Sequence, residues 1–375
     1  MSAAFAAALN GTMVMPLIVL VLARIPGISE ETATLVASVE IAGMALYCLL
    51  VPRLVLHFRR TVMLGGLAAL VLGEAASQVL DTAPTLALAR FLTGLGEGAL
   101  FSLITCEVAA EPQAERIWGQ INLLGGLAMG LLLYVLSVLP VETGRGSLFL
   151  WLAGMGLLMA PLVLTIRARP DRAAASALRP TTLGKRQLGL VWLVVVLVYA
   201  VQAGQWAVSG YVGNTAHIAP ATVGLFLAIS SIAGFAGAVV PSLTRNPAYR
   251  LHCVLLGFVV MAAALYVFFN WLGPTPFLLG QVLVNIGFYM VTPFLIGLLT
   301  ENDHDGALVL RTLVIALLGA AAGTALAGEG YVQSGPWRFS VATIIAVGVS
   351  MLCAAVVFQR LRLTPVVPAP EAVRS

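Results

Sequence analysis

Residues 189–212 read GLVWLVVVLVYAVQAGQWAVSGYV, an apolar run that contains no Asp, Glu, Lys or Arg. Lys185 and Arg186 come shortly before it. A helix of about 20 such residues spans the roughly 30 Å hydrocarbon core of a bilayer. In the whole chain of 375 residues, 60% are apolar and 10% are charged. Because soluble domains carry about 25% charged residues, the run and the composition together predict helices embedded in a membrane.

Eleven more apolar segments of similar length flank this run, each bounded by Pro, Gly or clustered charges: 3–23, 32–52, 61–80, 85–108, 117–139, 147–166, 221–243, 251–272, 276–299, 308–328 and 338–359. We therefore expect an all-α polytopic membrane protein with twelve transmembrane helices in two pseudo-symmetric six-helix bundles. The expected domains are an N-terminal bundle (1–166), a cytoplasmic linker (167–188), a C-terminal bundle (189–362) and a cytoplasmic tail (363–375). The first run has no basic leader and no small-residue cleavage site, which favours a first span over a signal peptide.

The basic residues predict the orientation of the chain. The even-numbered loops and the C-terminal tail hold 16 Lys and Arg residues, whereas the odd-numbered loops hold only Arg24, Arg145 and Arg338. Since cytoplasmic loops are enriched in Lys and Arg, both termini are expected in the cytoplasm, with the chain in the inner cell membrane. The net charge of +4 reflects this bias and does not indicate nucleic-acid binding.

The two halves of the chain share a weak internal sequence repeat. Landmarks recur at offsets between 189 and 195 residues: Pro52 with Pro241, Arg60 with Arg250, Arg116 with Arg311, and Gly126-x-x-x-Gly130 with Gly319-x-x-x-Gly323. Weak internal symmetry between two six-span halves is typical of transporters that hold their substrate near the midplane. For the glycine pairs taken alone, close helix packing is the alternative explanation.

Three motifs resemble the major facilitator superfamily, over essentially the full length of the chain. Residues 90–98, RFLTGLGEG, are similar to its R-x-x-x-G-x-G pattern. The loop at 52–60, PRLVLHFRR, occupies the place of its gating motif, with Val55 where an Asp belongs. Residues 9–14, LNGTMV, are similar to the L-D-x-T-V-V of drug–proton antiporters, with Asn10 replacing the Asp. The resemblance implies two rocking halves around a central cavity.

Three carboxylates lie within predicted spans, at Glu40, Glu74 and Glu97. An ionisable side chain inside a membrane is costly and marks a functional site by default, so all three are candidates for proton coupling. Glu97 is the first choice because it lies near midspan, on the same helical face as Arg90. A buried Arg–Glu pair that only fixes the helix is the alternative. Glu40 can equally be wetted from outside, and Glu74 can pair with a neighbour or reach outward.

Polar and aromatic side chains recur at helical spacing in the second half. Tyr199, Gln202, Trp206 and Ser209 share one face of the seventh span, and Gln281, Asn285 and Tyr289 share one face of the tenth. The resemblance places both spans on the cavity. The full set of cavity candidates is Asn10, Arg90, Glu97, Tyr199, Gln202, Trp206, Gln281, Asn285 and Tyr289. Interhelical hydrogen bonding is the alternative role for the amides.

Charged residues at the predicted cytoplasmic ends are gate candidates. They are Arg53, Arg59 and Arg60 against Glu107 and Glu111 in the first half, and Arg245 and Arg250 against Asp303 in the second. Contact with lipid headgroups is the alternative.

The sequence as a whole predicts a secondary transporter that moves a small molecule by alternating access. Proton-coupled export of an amphipathic compound is the first hypothesis, and movement of a polar metabolite or organic anion is the second. A receptor or scaffold is a third. The chain has no H-E-x-x-H and no pair of Asp residues within spans, so we expect no enzyme activity. We also expect no metal, cofactor or nucleic-acid partner, and a monomer that works with substrate, protons and lipid.

Overall fold

The computed structural model describes residues 2–50, 58–109, 114–138, 144–164, 184–244, 246–301 and 307–363. Its regular elements in these ranges are all helices: α1 (Ser2–Ala8), α2 (Asn10–Leu22), α3 (Glu30–Leu50), α4 (Arg59–Val79), α5 (Ala83–Ala109), α6 (Ala114–Val138), α7 (Gly144–Leu164), α8 (Lys185–Ala207), α9 (Ser209–Thr215), α10 (Pro220–Gly234), a 3-10 turn (Phe235–Ala238), α11 (Val239–Leu243), α12 (Pro247–Asn270), α13 (Pro274–Glu301) and α14 (Ala307–Leu363). The predicted all-helical fold is confirmed. Most of the linker and of the tail lies outside the described residues.

Ten helical segments in the described ranges are long and apolar enough to cross a membrane. The longest of them, Leu308–Arg360, has 53 residues. Gly335 interrupts its helical geometry with φ 79° and ψ 165°, a conformation open to glycine, and Pro336 follows. This kink divides α14 into two arms, 307–334 and 336–363.

The outer faces of the helices carry large apolar side chains, whereas several charged side chains are buried in the interior. Leu72, Leu158 and Leu352 are each more than half exposed on the outer faces of their helices, whereas Glu74 and Arg90 are completely buried. Large apolar surfaces of this kind are not tolerated by soluble monomers. The distribution is the one that lipid requires, because charged side chains inside a membrane face the bundle interior.

Two sets of contacts organise the helices. Helix α5 packs against α3 and α4, while α8 packs against the first arm of α14 and α12 packs against α13. The most extensive contacts between the early and the late helices are those of α3 with α14 and of α6 with α10.

Glycines allow α8 and α14 to approach at backbone distance. A Cβ atom on Gly319 would lie 2.7 Å from the carbonyl oxygen of Val196, and one on Gly323 would overlap the carbonyl group of Ala200. From the other side, a Cβ on Gly204 would lie 2.8 Å from the carbonyl oxygen of Gly323. The Gly319-x-x-x-Gly323 repeat is therefore a packing surface.

We expect Gly323→Ala to lower the stability of the protein by about 1–3 kcal/mol, since the added methyl group forces two backbones apart. The matched control is Gly348→Ala in the second arm of α14, where nothing lies within 4 Å of the added Cβ. Thermal unfolding followed by circular dichroism in detergent gives the two melting temperatures. Equal melting temperatures would contradict the close-packing role of Gly323.

Candidate functional site

The glycines of the RFLTGLGEG motif bring three helices together around one point. A Cβ on Gly94 would overlap the backbone carbonyl of Glu40 in α3, and one on Gly98 would lie 2.7 Å from the Met44 carbonyl oxygen. Gly96 faces α4 instead, where a Cβ would lie 2.5 Å from the backbone nitrogen of Leu70. The alternation of small residues thus lets α5 pack closely on α3 with one face and on α4 with another.

Arg90 occupies the space between these helices and pairs with a carboxylate from each. Its Nε donates to Glu40 Oε2 at 3.0 Å, and its Nη1 donates to Glu74 Oε2 at 2.8 Å. Its Nη2 also contacts Glu40 Oε1, and the guanidinium carbon lies 5.4 Å from the centre of the Phe149 ring. The arginine and both carboxylates are completely buried. Bidentate geometry of this kind is what a buried ion pair requires to offset its desolvation.

Glu97 lies apart from the arginine and contacts α2. Its Oε1 accepts a hydrogen bond from the backbone N–H of Gly11 at 2.8 Å. That N–H is available because the helix is broken at Leu9, with φ −114° and ψ 13°, and α2 begins at Asn10. Glu97 is completely buried, and its Oε2 has no hydrogen-bond partner within the described part of the chain. One guanidinium therefore faces three carboxyl groups, of which two are paired with it.

Gly11 is the close-approach residue of this cluster. A Cβ at Gly11 would lie 2.6 Å from the carboxyl carbon of Glu40 and 2.9 Å from Arg90 Nη2. Its neighbour Asn10 is also buried and donates from Nδ2 to the Leu152 carbonyl of α7 at 3.1 Å. The start of α2 is thus held between the charged cluster and α7.

A cavity of about 210 Å³ lies on the other side of the α1–α2 break. Leu9, Thr12 and Met13 form one part of its wall. The rest comes from α6, α8, α10, the 3-10 turn and α13: Gly130, Leu133, Tyr199, Gln202, Ala203, Trp206, Ser231, Phe235, Asn285, Phe288 and Tyr289. None of the described residues on this wall is charged.

Two amide pairs join α8 to α13 beside the cavity. Gln202 Nε2 donates to Asn285 Oδ1 at 2.7 Å, and Gln205 Nε2 donates to Gln281 Oε1 at 2.5 Å. Only the first pair lines the cavity, while Gln205 and Gln281 are completely buried. Gln205 was not among the predicted residues, although its position three residues after Gln202 places it near the same helical face.

The structure divides the predicted cavity residues into two groups. Tyr199, Gln202, Trp206, Asn285 and Tyr289 line the cavity, as the helical spacing predicts. Four others lie off its wall: Asn10, Arg90, Glu97 and Gln281. The α1–α2 segment separates Arg90 and Glu97 from the cavity, since its Gly11 contacts Glu97 while Thr12 and Met13 face the cavity. Asn10 belongs to this segment, but its side chain bonds to Leu152 of α7. That this cavity holds the substrate stays a prediction.

The gate candidates are only partly described. Arg59 at the start of α4 forms an ion pair with Glu107 near the end of α5. Both belong to the same group of packed helices, so this pair does not join the early helices to the late ones. Arg60 is exposed and Arg250 is half-buried. Arg53, Glu111, Arg245 and Asp303 lie outside the described residues.

The opposite end of the helices is closed by contacts between early and late elements. The hydroxyl of Tyr211 in α9 donates to the backbone carbonyl of Glu30 at the start of α3, at 3.2 Å. A Cβ on Gly210 would lie 2.6 Å from the side chain of Leu20 in α2. The early and late helices are therefore in direct contact at the end at which α3 begins.

A metal centre is not indicated, since no group of three potential ligand residues occurs in the described ranges.

Comparison with known proteins agrees with this architecture. The chain is 26% identical over 265 residues to an uncharacterized MFS-type transporter present in two strains of Mycobacterium tuberculosis; the match covers 68% of this chain and spans only 37% of the length of those relatives. The fold is similar to the crystal structure of a D-xylose–proton symporter, with a TM-score of 0.69, 15% identity, and coverage of 93% of this chain and 95% of that one. It is also similar to a peptide transporter POT variant, with a TM-score of 0.70, 13% identity, and coverage of 96% and 93%.

A family model described as Major Facilitator Superfamily matches residues 1–306. On this match, the chain belongs to the Major Facilitator Superfamily.

Proposed function

We propose that this protein is a proton-coupled exporter of uncharged, amphipathic compounds that works by alternating access. The observation that carries the proposal is Glu97, a fully buried carboxyl group without a cation partner among the described residues, bonded to the helix break that borders the cavity. Protons and substrate then have separate sites that share one mobile element.

The proposal includes twelve membrane crossings in two halves of six. The ten segments found by length and composition become twelve when α6 and the second arm of α14 are counted. A straight helix of 53 residues would be about 80 Å long at 1.5 Å per residue, far more than one crossing. Contacts between early and late helices support two equivalent halves. Helix α3 is the second span and contacts the eleventh in α14, while α6 is the fifth span and contacts the eighth, α10. Because the sequence repeat makes the second span equivalent to the eighth and the fifth equivalent to the eleventh, the two contacts are equivalent to each other.

Charge balance supports Glu97 as the proton carrier. Arg90 is paired with Glu40 and Glu74, whose two carboxylates already outnumber its single positive charge, and Glu97 in the same apolar interior has no ion-pair partner among the described residues. A buried, uncompensated charge costs several kcal/mol, and such a group is favoured in its neutral form. Glu97 becomes ionised only when water or a conformational change reaches it. Coupling requires a group whose protonation state depends on the conformation of the protein, and Glu97 is proposed to be that group.

The contact between Glu97 and Gly11 supports a mechanism in which the protonation state of Glu97 changes the shape of the cavity. An ionised carboxylate is stabilised at the N-terminal end of α2, where free N–H groups and the helix dipole are positive. A protonated Glu97 holds that end less strongly, so α2 is free to move. Because Leu9 and Thr12 flank the contact and line the cavity, the movement changes the shape of the substrate site.

The wall of the cavity favours an uncharged substrate. A doubly charged anion would need a basic partner, and the described lining has none. The organic-anion hypothesis is thereby weakened, while a neutral polar metabolite remains the alternative. Export as the direction of transport rests on the resemblance of residues 9–14 to the antiporter motif. That motif has an Asp where this chain has Asn10. In our proposal Glu97, which lies beside Gly11, carries the proton in place of that Asp. A receptor would bind the same compounds without moving them.

We expect Glu97→Gln to abolish flux driven by a pH gradient, because the amide can accept the Gly11 hydrogen bond but cannot carry a proton. The measurement uses proteoliposomes and neutral amphipathic compounds that raise the melting temperature of the purified protein. Glu329→Gln, at an exposed position in α14, is the matched control and should transport normally. Wild-type flux in Glu97→Gln would remove Glu97 from the mechanism.

Substitution of a carboxylate paired with Arg90 and substitution of Glu97 should have different effects on the stability of the protein. Glu74→Gln replaces one charged hydrogen bond of Arg90 with a weaker neutral one, while Glu40 still compensates the guanidinium, and should destabilise the protein by about 1–3 kcal/mol. Glu97→Gln breaks no ion pair and should leave the melting temperature within a few degrees of the wild type. Thermal unfolding of both variants in the same detergent compares them. If Glu97→Gln were the more damaging change, our division between structural and titrating carboxylates would be wrong.

The orientation follows from the distribution of basic residues and places the termini in the cytoplasm. In a variant without native cysteines, Ala175→Cys in the linker should react with a membrane-impermeant maleimide only after the cells are permeabilised. Thr82→Cys, in the loop between α4 and α5, should react in intact cells. The reverse pattern would invert the topology.

A further inference from the structure

The amide pair on the cavity wall has one donor and one acceptor left over. Gln202 and Asn285 share a single hydrogen bond, and Gln202 Oε1 and Asn285 Nδ2 have no partner in the described part of the chain. Asn285 is 5% exposed and Gln202 only partly exposed, so bulk water does not readily satisfy these atoms. Exchanging oxygen and nitrogen in both amides again leaves one acceptor and one donor.

Two other polar side chains of the cavity are already bonded within their own helices. The hydroxyl of Thr12 donates to the Leu9 carbonyl at 3.1 Å, and that of Ser231 donates to the Leu227 carbonyl at 2.9 Å. A buried polar atom without a hydrogen bond costs about 1–3 kcal/mol. Tyr199, Trp206 and Tyr289 also bring polar groups to the wall, but the buried polar atoms without a partner among the described lining residues belong to the amide pair.

Flat aromatic surfaces surround this pair. The rings of Tyr199 and Phe288 meet edge to face with centroids 5.1 Å apart, and those of Phe235 and Tyr289 lie 4.9 Å apart with 31° between their planes. Aromatic faces pack favourably against other flat rings. The volume of about 210 Å³ lies below the range of roughly 300–1,000 Å³ that is usual for drug-sized ligands. Both properties favour a small planar molecule.

From these features we infer that the substrate is a small, uncharged aromatic compound with a carboxamide or lactam edge. Its carbonyl oxygen accepts from Asn285 Nδ2, and its N–H donates to Gln202 Oε1. Together with the Gln202–Asn285 bond, the three amides then close a ring in which each group donates once and accepts once. Such a ring satisfies both open atoms, and the bonds strengthen one another in a dry site. This inference names the substrate class of the proposed transporter and rests on that function.

The test uses three probes of one size: benzamide, acetophenone and benzoate. The wild-type protein in lipid nanodiscs is equilibrated by dialysis with each radiolabelled probe, in the absence of any proton gradient. Benzamide should bind at least about tenfold more tightly than acetophenone, in which a methyl group replaces the N–H donor. Benzoate should also bind more weakly, because its charge would be unpaired. Equal affinity for benzamide and acetophenone, or no benzamide binding up to its solubility limit, would overturn the inference.

A matched pair of variants locates the effect. Asn285→Leu keeps the branched shape of the side chain but removes its polar atoms, and it should abolish the preference for benzamide. Asn270→Leu makes the same change in α12, where the amide bonds to Tyr266 and Ser340 away from the cavity, and should retain the preference. If Asn285→Leu does not fold, Gln202→Met removes the acceptor in the same way. A preference that survives loss of the Gln202 or Asn285 amide would also overturn the inference.

The binding assay separates this inference from the proposed transport function. Selective benzamide binding without flux under a pH gradient would refute proton-coupled transport and leave the substrate class standing. Proton-driven flux of other compounds with no selectivity among the three probes would do the reverse.

Discussion

A single guanidinium group in an apolar interior constrains how the first half of this protein folds. Arg90 remains charged at any physiological pH, and burying an unpaired charge costs several kcal/mol even after relaxation. Helices α3 and α4 must therefore present Glu40 and Glu74 at the same depth, within about 3 Å of the guanidinium. The glycines of α5 make this possible, since a side chain at Gly94 would separate α5 from α3. The small residues of the motif are thus the steric requirement for the ion pairs of Arg90.

The ion pairs of Arg90 leave Glu97 without an ion-pair partner among the described residues, and Glu97 is linked to the cavity instead. The backbones of Glu97 and Arg90 are two helical turns apart, roughly 10 Å along the axis, and the carboxylates of α3 and α4 bind the guanidinium. Glu97 accepts instead from a buried N–H at the start of a broken helix. Discontinuous helices at midspan are where transporters place polar contacts. In this protein the break at Leu9 contacts the charged cluster at Gly11 and the cavity at Thr12.

The sequence predicted the helices well because lipid imposes a length and a composition on each span. Spacing alone also selects the faces of α8 and α13 that line the cavity, because one helical face can be read from it; that these side chains bind substrate stays a prediction. The sequence did not predict which carboxylates Arg90 binds, since that depends on how Gly94 and Gly96 allow neighbouring helices to approach. Gln205 and the contribution of Leu9 to the cavity were missed for related reasons. An amide pair between two helices and a break within one depend on tertiary packing, which no local pattern encodes.

The buried charged residues and the polar residues of the cavity lie on different helices, and this arrangement suits a neutral substrate. The described carboxylates and arginine of the interior lie on α3, α4 and α5, whereas the amides and most of the aromatic rings that line the cavity lie on α8 and α13. If the titrating group lined the cavity, each protonation would change the charge seen by the substrate, and affinity would depend on substrate charge. In the mechanism we propose, α2 lies between them and protonation of Glu97 acts on the position of Thr12 and Met13. The proton would then alter the shape of the cavity and leave its neutrality unchanged, so that a compound without charge would still be coupled to the proton gradient.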